Sequence, residues 1–137
     1  MIKKIPSDKT VWIQRGLVYA DLGNHVFATA DFSQAIKLDP ECLMAVFHMA
    51  TSELKAGHIP SAIEEFKKCE MGGETAQIHD GFGCCYHAVK DYSQAIVAFG
   101  KAIEGEPYNI QFFRNRAQCY FDMGMYEICI QDLQSAL

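Results

Sequence analysis

Small and large apolar residues return along the chain in fixed columns. Ala28, Ala62, Ala95 and Cys129 form one column, at spacings of 34, 33 and 34 residues. Four residues later stand Phe32, Phe66, Phe99 and Leu133, and three after those Ala35, Cys69, Ala102 and Ala136. Upstream in the same register lie Trp12, Val46, His79 and Phe113, then Gly16, Ala50, Gly83 and Ala117, then Tyr19, Glu53, Tyr86 and Tyr120. Offsets of three and four within each period put these positions on one face of a helix. A period of this length marks stacked supersecondary units.

The pattern predicts helices near residues 9–22, 25–38, 43–56, 59–71, 76–89, 92–105, 110–123 and 126–137, and no strand. Gly16, Ala50, Gly83 and Ala117 are small enough to let a second helix approach, the alanine column supplies the matching surface, and the Phe32 column fills the space between. Gly23, Gly57 and Gly124 stand where a first helix needs a left-handed residue to end, and Pro40 and Pro107 stop second helices. Lys90 takes the glycine position in the third period, which predicts a strained or differently shaped turn. Pro60 falls in the first turn of its helix, where a missing amide donor costs little. Gly72-Gly73 reads as a helix stop, since no Lys-Ser or Lys-Thr follows to make a phosphate loop. Glu74 stands where the other periods have proline.

Trp12, Gly16, Tyr19, Ala28, Phe32, Ala35 and Pro40 together resemble the tetratricopeptide repeat family, whose pattern combines Trp, Gly, Tyr, Ala, Phe, Ala and Pro over about 34 residues. The likeness covers essentially the whole chain. It implies an all-α fold, a right-handed α-solenoid (superhelix) of antiparallel helix pairs with eight helices. The implied division is 1–8 as the end of a preceding repeat, then repeats at 9–42, 43–75, 76–109 and 110–137, the last truncated. Ile2-Lys3-Lys4-Ile5-Pro6 matches Ile36-Lys37-Leu38-Asp39-Pro40 at the 34-residue offset, and Leu137 stands in the Ile36 and Ile103 column. With no polar capping helix, the expectation is a stretch of a longer array.

Composition removes several classes of function. The net charge of −5 and the lack of any block of Lys and Arg disfavour nucleic acid as a partner. No apolar run approaches the roughly 20 residues of a membrane helix. The opening residues do not form a secretory signal, because Pro6 and Asp8 interrupt the apolar part. Cys42, Cys69, Cys84, Cys85, Cys119 and Cys129 show no framework spacing, so reduced thiols and an intracellular, cytoplasmic site are expected. Cys84 and Cys85 with His79 and His87 are the one constellation suggesting metal or redox chemistry. Adjacent helical cysteines diverge, however, and Cys85 and His79 occupy core columns, so no metal, cofactor or enzymatic activity is expected. Glu53, in a tyrosine column, marks the second period as divergent.

The resemblance implies that first-helix side chains line a concave inner face where ligands lie. That face would carry Thr10, Ile13, Leu17 and Asp21, then Met44, Phe47, Thr51 and Lys55, then Gln77, Asp80, Cys84 and His87, then Gln111, Arg114, Gln118, Phe121 and Asp122. Its first half is apolar and its second polar. The partner-binding candidates are Ile13, Leu17, Met44, Phe47, Thr51, Asp80, His87, Arg114, Gln118 and Phe121. For Ile13 and Leu17 a second reading stays open, as core beneath a preceding repeat. Co-chaperones of the family hold acidic chaperone tails with a clamp of Lys, Asn and Arg. The mapped positions here are Ile13, Leu17, His48, Gln77 and Gly81, or one period on, Phe47, Thr51, Gly81, Gln111 and Asn115. They lack the cations a carboxylate needs, so no such tail is expected. The expected function is a scaffold that binds a protein, peptide or helical segment in its groove. The alternative is a spacer that associates end to end with neighbouring repeats or copies.

Overall fold

The computed structural model describes residues 8–73 and 75–137; the Ile2–Pro6 match and Glu74 lie outside the described residues. Among the described residues there are eight helices and no strand: α1 (Lys9–Asp21), α2 (His25–Leu38), α3 (Leu43–Lys55), α4 (Ile59–Met71), α5 (Ala76–Ala88), α6 (Tyr92–Gly105), α7 (Ile110–Asp122) and α8 (Tyr126–Ser135). The chain forms two compact units, residues 1–72 and 73–137. In the first, α1 pairs with α2, α3 with α4, and α2 packs on α3; in the second, α5 pairs with α6, α7 with α8, and α6 packs on α7. No helix among the described residues is long and apolar enough to cross a membrane.

Side chains start several helices. Asp8 accepts from the Thr10 amide at 2.9 Å, Thr75 Oγ1 from Ile78 at 3.3 Å, Asp91 from Gln94 at 3.3 Å and Asn109 from Gln111 at 3.0 Å, each satisfying an amide that the helix leaves without a partner. Pro60 begins α4 as expected. The four hairpin turns share one closure. Asn24, His58, Asp91 and Met125 each donate their amide to the carbonyl of Tyr19, Glu53, Tyr86 or Tyr120, at 2.8–2.9 Å. This is the Schellman bond, and it needs a left-handed residue just before the donor. Gly23, Gly57 and Gly124 supply it, and so does Lys90 with φ +65°. The Lys90 turn is therefore not reshaped: the same closure forms, and a side chain carries the steric cost of the left-handed backbone.

The core of the first three hairpins is built on a buried phenyl ring, set against glycine in α1/α2 and α5/α6. A Cβ added to Gly16 would lie 2.7 Å from the Phe32 ring, and one added to Gly83 would lie 2.5 Å from Phe99. Phe32, Phe66 and Phe99 are fully buried, as are Ala28, Ala62 and Ala95. Burying each ring contributes about 2 kcal/mol, which the close approach makes possible. Leu133, expected in the same role, is 44 % exposed. Its outer side corresponds to the α2 and α6 surfaces that α3 and α7 cover, and α8 is the last helix described.

Two ion pairs, each on a buried aspartate, tie first helices to second ones. Arg15 donates to both oxygens of Asp31 through Nε and Nη2 at 2.7 Å, and Arg116 to both oxygens of Asp132 at 2.7 and 2.8 Å. Asp31 and Asp132 are buried. Arg15 also stacks over Trp12 and Tyr19, and Arg116 over Phe113. The α5/α6 hairpin has Phe82 and Ala98 in these columns, an apolar substitute, whereas α3/α4 has Met49 and Glu65 and so keeps an acid without its arginine. Glu65 reaches Lys68 at 3.5 Å, and Glu53 nearby is buried with Oε2 unbonded. Burial, then repulsion from Glu65, pushes the Glu53 carboxyl above the usual carboxylate range, against the pull of His58 and Lys68.

Removing one partner of a buried pair strands the other, whereas replacing both with apolar groups is nearly neutral. Arg116→Met should therefore destabilise the chain by about 2 kcal/mol in urea unfolding followed by helical circular dichroism. Arg116→Phe together with Asp132→Ala, the residues that α5/α6 carries, should recover most of that loss. Equal destabilisation by the single and the double change would contradict the account.

Candidate functional site: the first-helix faces

In the first unit, the apolar candidates divide between core and surface. Ile13 is 6 % exposed and belongs to the core with Ala28, Phe32, Ala35 and Ala45, with Leu17 packed at its margin. The open-groove reading of Ile13 is thus corrected: its neighbours on α2 and α3 cover it. Phe47 is half-buried, edge-on to Phe66 with ring centres 5.8 Å apart, and Thr51 donates to the Phe47 carbonyl at 3.1 Å. Met44 stands open to solvent at 60 % exposure. The expected apolar half of the face is mostly hairpin core.

The second unit is different, because polar residues on α5 and α7 meet across the face. Asp80, Cys84 and His87 follow at offsets of four and three on α5, and Gln111, Asn115, Gln118 and Asp122 do the same on α7. Each set therefore forms one stripe. The stripes join in rungs. Gln111 donates to Asn115 Oδ1 at 2.8 Å, and Asn115 Nδ2 donates to Asp80 Oδ1 at 2.7 Å. At the other end His87 Nε2 meets Asp122 Oδ2 at 2.7 Å, while Gln118 donates to Asp122 Oδ1 at 3.0 Å. Between the rungs lies a pocket of about 110 Å³, lined by Cys84, His87, Phe99, Asn115 and Gln118. Seven residues separate Asp80 from His87, so the rungs stand about 10 Å apart along the helix.

Two carboxylates sit in contrasting settings. Burial raises the Asp80 pKa, and the hydrogen bond from Asn115 only partly opposes this. Asp122 is held below the usual range by His87 first and by Gln118 after it. Arg114 is exposed, and Phe121 is half-exposed, with its ring against Tyr126 at 5.4 Å. Asp80, His87 and Gln118 are thus brought together; Arg114 and Phe121 flank them. Asn115 is absent from the expected binding residues, although it stands one helical turn after Gln111, which is the signal that it shares the stripe. Two larger hollows, of about 430 and 390 Å³, are formed by the consecutive residues 124–128 and 106–109 at turns, and no polar groups converge in them from separate helices.

All six cysteines are free. Burial pushes Cys69 and Cys119 up to about 11 and Cys85 up to about 12, so these thiols are inert packing groups near neutral pH. Among the described residues no cluster of three His, Cys, Asp or Glu could hold a metal ion.

An all-α array of hairpins joined by Schellman turns and clamped by rings on small residues defines the α-solenoid class. The sequence profile described as Tetratricopeptide repeat matches residues 10–42, so that stretch is a tetratricopeptide repeat. It is 25 % identical over 97 % of its length to bovine (Bos taurus) DnaJ homolog subfamily C member 3, of which it covers 30 %. It is 37 % identical over 42 % of its length to Hsp70-Hsp90 organizing protein 3 of Arabidopsis thaliana, of which it covers 10 %. The chain thus spans less than a third of either curated relative. The fold matches TTC0263, a thermophilic TPR protein of Thermus thermophilus, with a TM-score of 0.86 at 20 % identity, over 95 % of this chain and 73 % of that one.

The rung geometry makes a titration prediction. Asn115→Ala removes the one hydrogen bond that lowers the Asp80 pKa and leaves its burial in place, so Asp80 should titrate at a still higher pH. Carboxyl-carbon NMR reads this directly. An unchanged or lowered Asp80 pKa would contradict the geometry.

Proposed function

We propose that the chain is a protein-interaction scaffold that holds a segment of another protein on its first-helix faces, chiefly on the α5/α7 face. The observation that carries this reading is the allocation of polar groups. Second helices and the backs of first helices use their small and aromatic residues for packing. The α5 and α7 stripes instead keep carboxylates, amides and an imidazole at the surface, fixed in place by each other. Groups held in advance lose little side-chain entropy when a partner arrives. A family built of such hairpins, with relatives named as organising Hsp70 and Hsp90, supports a protein partner. The face lacks a cluster of cations, so an acidic chaperone tail is not the ligand proposed. No catalytic step is assigned.

A second reading, stacking against further hairpins or another copy, has its own support. Ala45, Ser52, Ile78, Cys85, Phe112 and Cys119 occupy two first-helix columns and are all buried, whereas Val11 and Val18 in the same columns are 47 % and 57 % exposed. Ile130 and Leu133 are likewise open on α8.

Selection of random-sequence peptides against the chain separates the two. Under the first reading, selected peptides lose about tenfold or more in affinity on Gln118→Arg and are indifferent to Val18→Glu. Binders insensitive to every change on α5 and α7, or sedimentation showing association abolished by Val18→Glu and no peptide retained, would contradict it.

A further inference from the structure

The hydrogen bonds of the α5/α7 face leave its carboxylates only partly satisfied. The Gln111, Asn115 and Gln118 amides each turn an N–H toward a neighbouring oxygen, and His87 Nε2 is engaged with Asp122. Each of these amides keeps one neutral N–H unspent, whereas the charged groups with capacity left are the carboxylates: the second Asp80 oxygen and the spare lone pairs of Asp122. A ligand with charged donors complements the open carboxylate capacity, and Lys and Arg side chains are charged and donors only.

Charge and shape agree. Residues 73–137 contain eight Asp and Glu against four Lys and Arg, so they carry four of the five net negative charges of the chain. Arg116, one of those four cations, is already taken by Asp132. Arg114 stands exposed beside the stripe and His87 is engaged by Asp122, while Asp80 is bonded to a neutral amide rather than to a cation. The pocket between the rungs, at about 110 Å³, is well below the roughly 300 Å³ at which small-molecule sites begin, but it suits one long side chain. The buried Phe99 forms part of its lining, so an aliphatic stem finds an apolar wall there.

We propose that the segment held on the α5/α7 face is basic, with one Lys or Arg side chain entering the pocket over Phe99 between the Asp80–Asn115 and His87–Asp122 rungs. This rests on the scaffold reading above and adds the chemistry of the ligand. Acidification weakens the complex, since protonating Asp80 removes the charge that meets the cation. Because the Asp80 pKa is raised by burial, that weakening starts above the usual carboxylate range.

The test uses three labelled synthetic peptides of one alanine–serine frame, carrying Lys, Gln or Glu at the central positions, titrated with the whole chain by fluorescence anisotropy. The Lys peptide should bind at least about tenfold more tightly than the Gln peptide, and the Glu peptide should bind least. Added salt should erode the difference. Asp80→Asn, of the same shape, should cost about tenfold for the Lys peptide, while Glu104→Gln, the same loss of charge on exposed α6 surface, should cost nothing comparable. Equal binding of Lys and Glu peptides, or equal losses from Asp80→Asn and Glu104→Gln, would overturn the proposal. Should the random selection return only neutral or acidic binders of this face, the basic ligand fails and the scaffold reading stands. Should it return none, both fail.

Discussion

A phenyl ring on the second helix of a hairpin rests where the first helix has no side chain, or only a methyl group. Phe32 lies on Gly16 and Phe99 on Gly83 so closely that an added Cβ would fall inside the ring's contact distance. That approach sets the spacing of the helix pair, and the rest follows from it. The alanine column is buried because the axes are close. The Tyr carbonyls can accept the closing amide because the turn is tight. The remaining side of each first helix is then free to carry polar groups, as α5 and α7 do.

Charge is used in two ways in the same architecture. In the α1/α2 and α7/α8 hairpins a buried Asp is answered by an Arg within the hairpin, which satisfies both carboxylate oxygens. On the α5/α7 face the carboxylates are answered only in part, by amides and an imidazole, and stay accessible. The first arrangement fixes the hairpin and the second leaves acceptor capacity open. The α3/α4 hairpin belongs to neither class. With Met49 where arginine stands elsewhere, Glu65 and Glu53 press on one another, and Glu53 is left with an unbonded buried oxygen.

The helices and their ends are legible because each rests on a column: small residues, rings, glycine and proline recur at one period, and all eight helices end within about two residues of where that period puts them. The Lys90 turn departs from expectation only in its shape, since glycine is the cheapest left-handed residue and not the only one, and the closing bonds on either side hold it. Ile13 is ambiguous in principle. Its column faces both a ligand surface and the neighbouring helices, and only the packing of α2 and α3 decides which. The Arg–Asp pairs escape a sequence reading because they lie sixteen residues apart, in two of four periods, so no column is uniform enough to show them. The α5/α7 stripe is half legible: spacing places Asp80, His87 and Gln118 on the same face, but the offset of 35 that joins Asp80 to Asn115 and His87 to Asp122 is a property of how the helices lie side by side.

The ring-on-glycine contact is tested most directly by Gly83→Ala, alone and combined with Phe99→Leu, the Ala and Leu pairing that the α7/α8 hairpin carries at Ala117 and Leu133. The single change should destabilise the chain by about 1–2 kcal/mol in urea unfolding, since the strain of overpacking exceeds the helix propensity gained. The pair should be less destabilised than the two single losses added together, by about 1 kcal/mol. Strict additivity, or a Gly83→Ala chain more stable than the parent, would show that the ring does not need the glycine and would contradict the account.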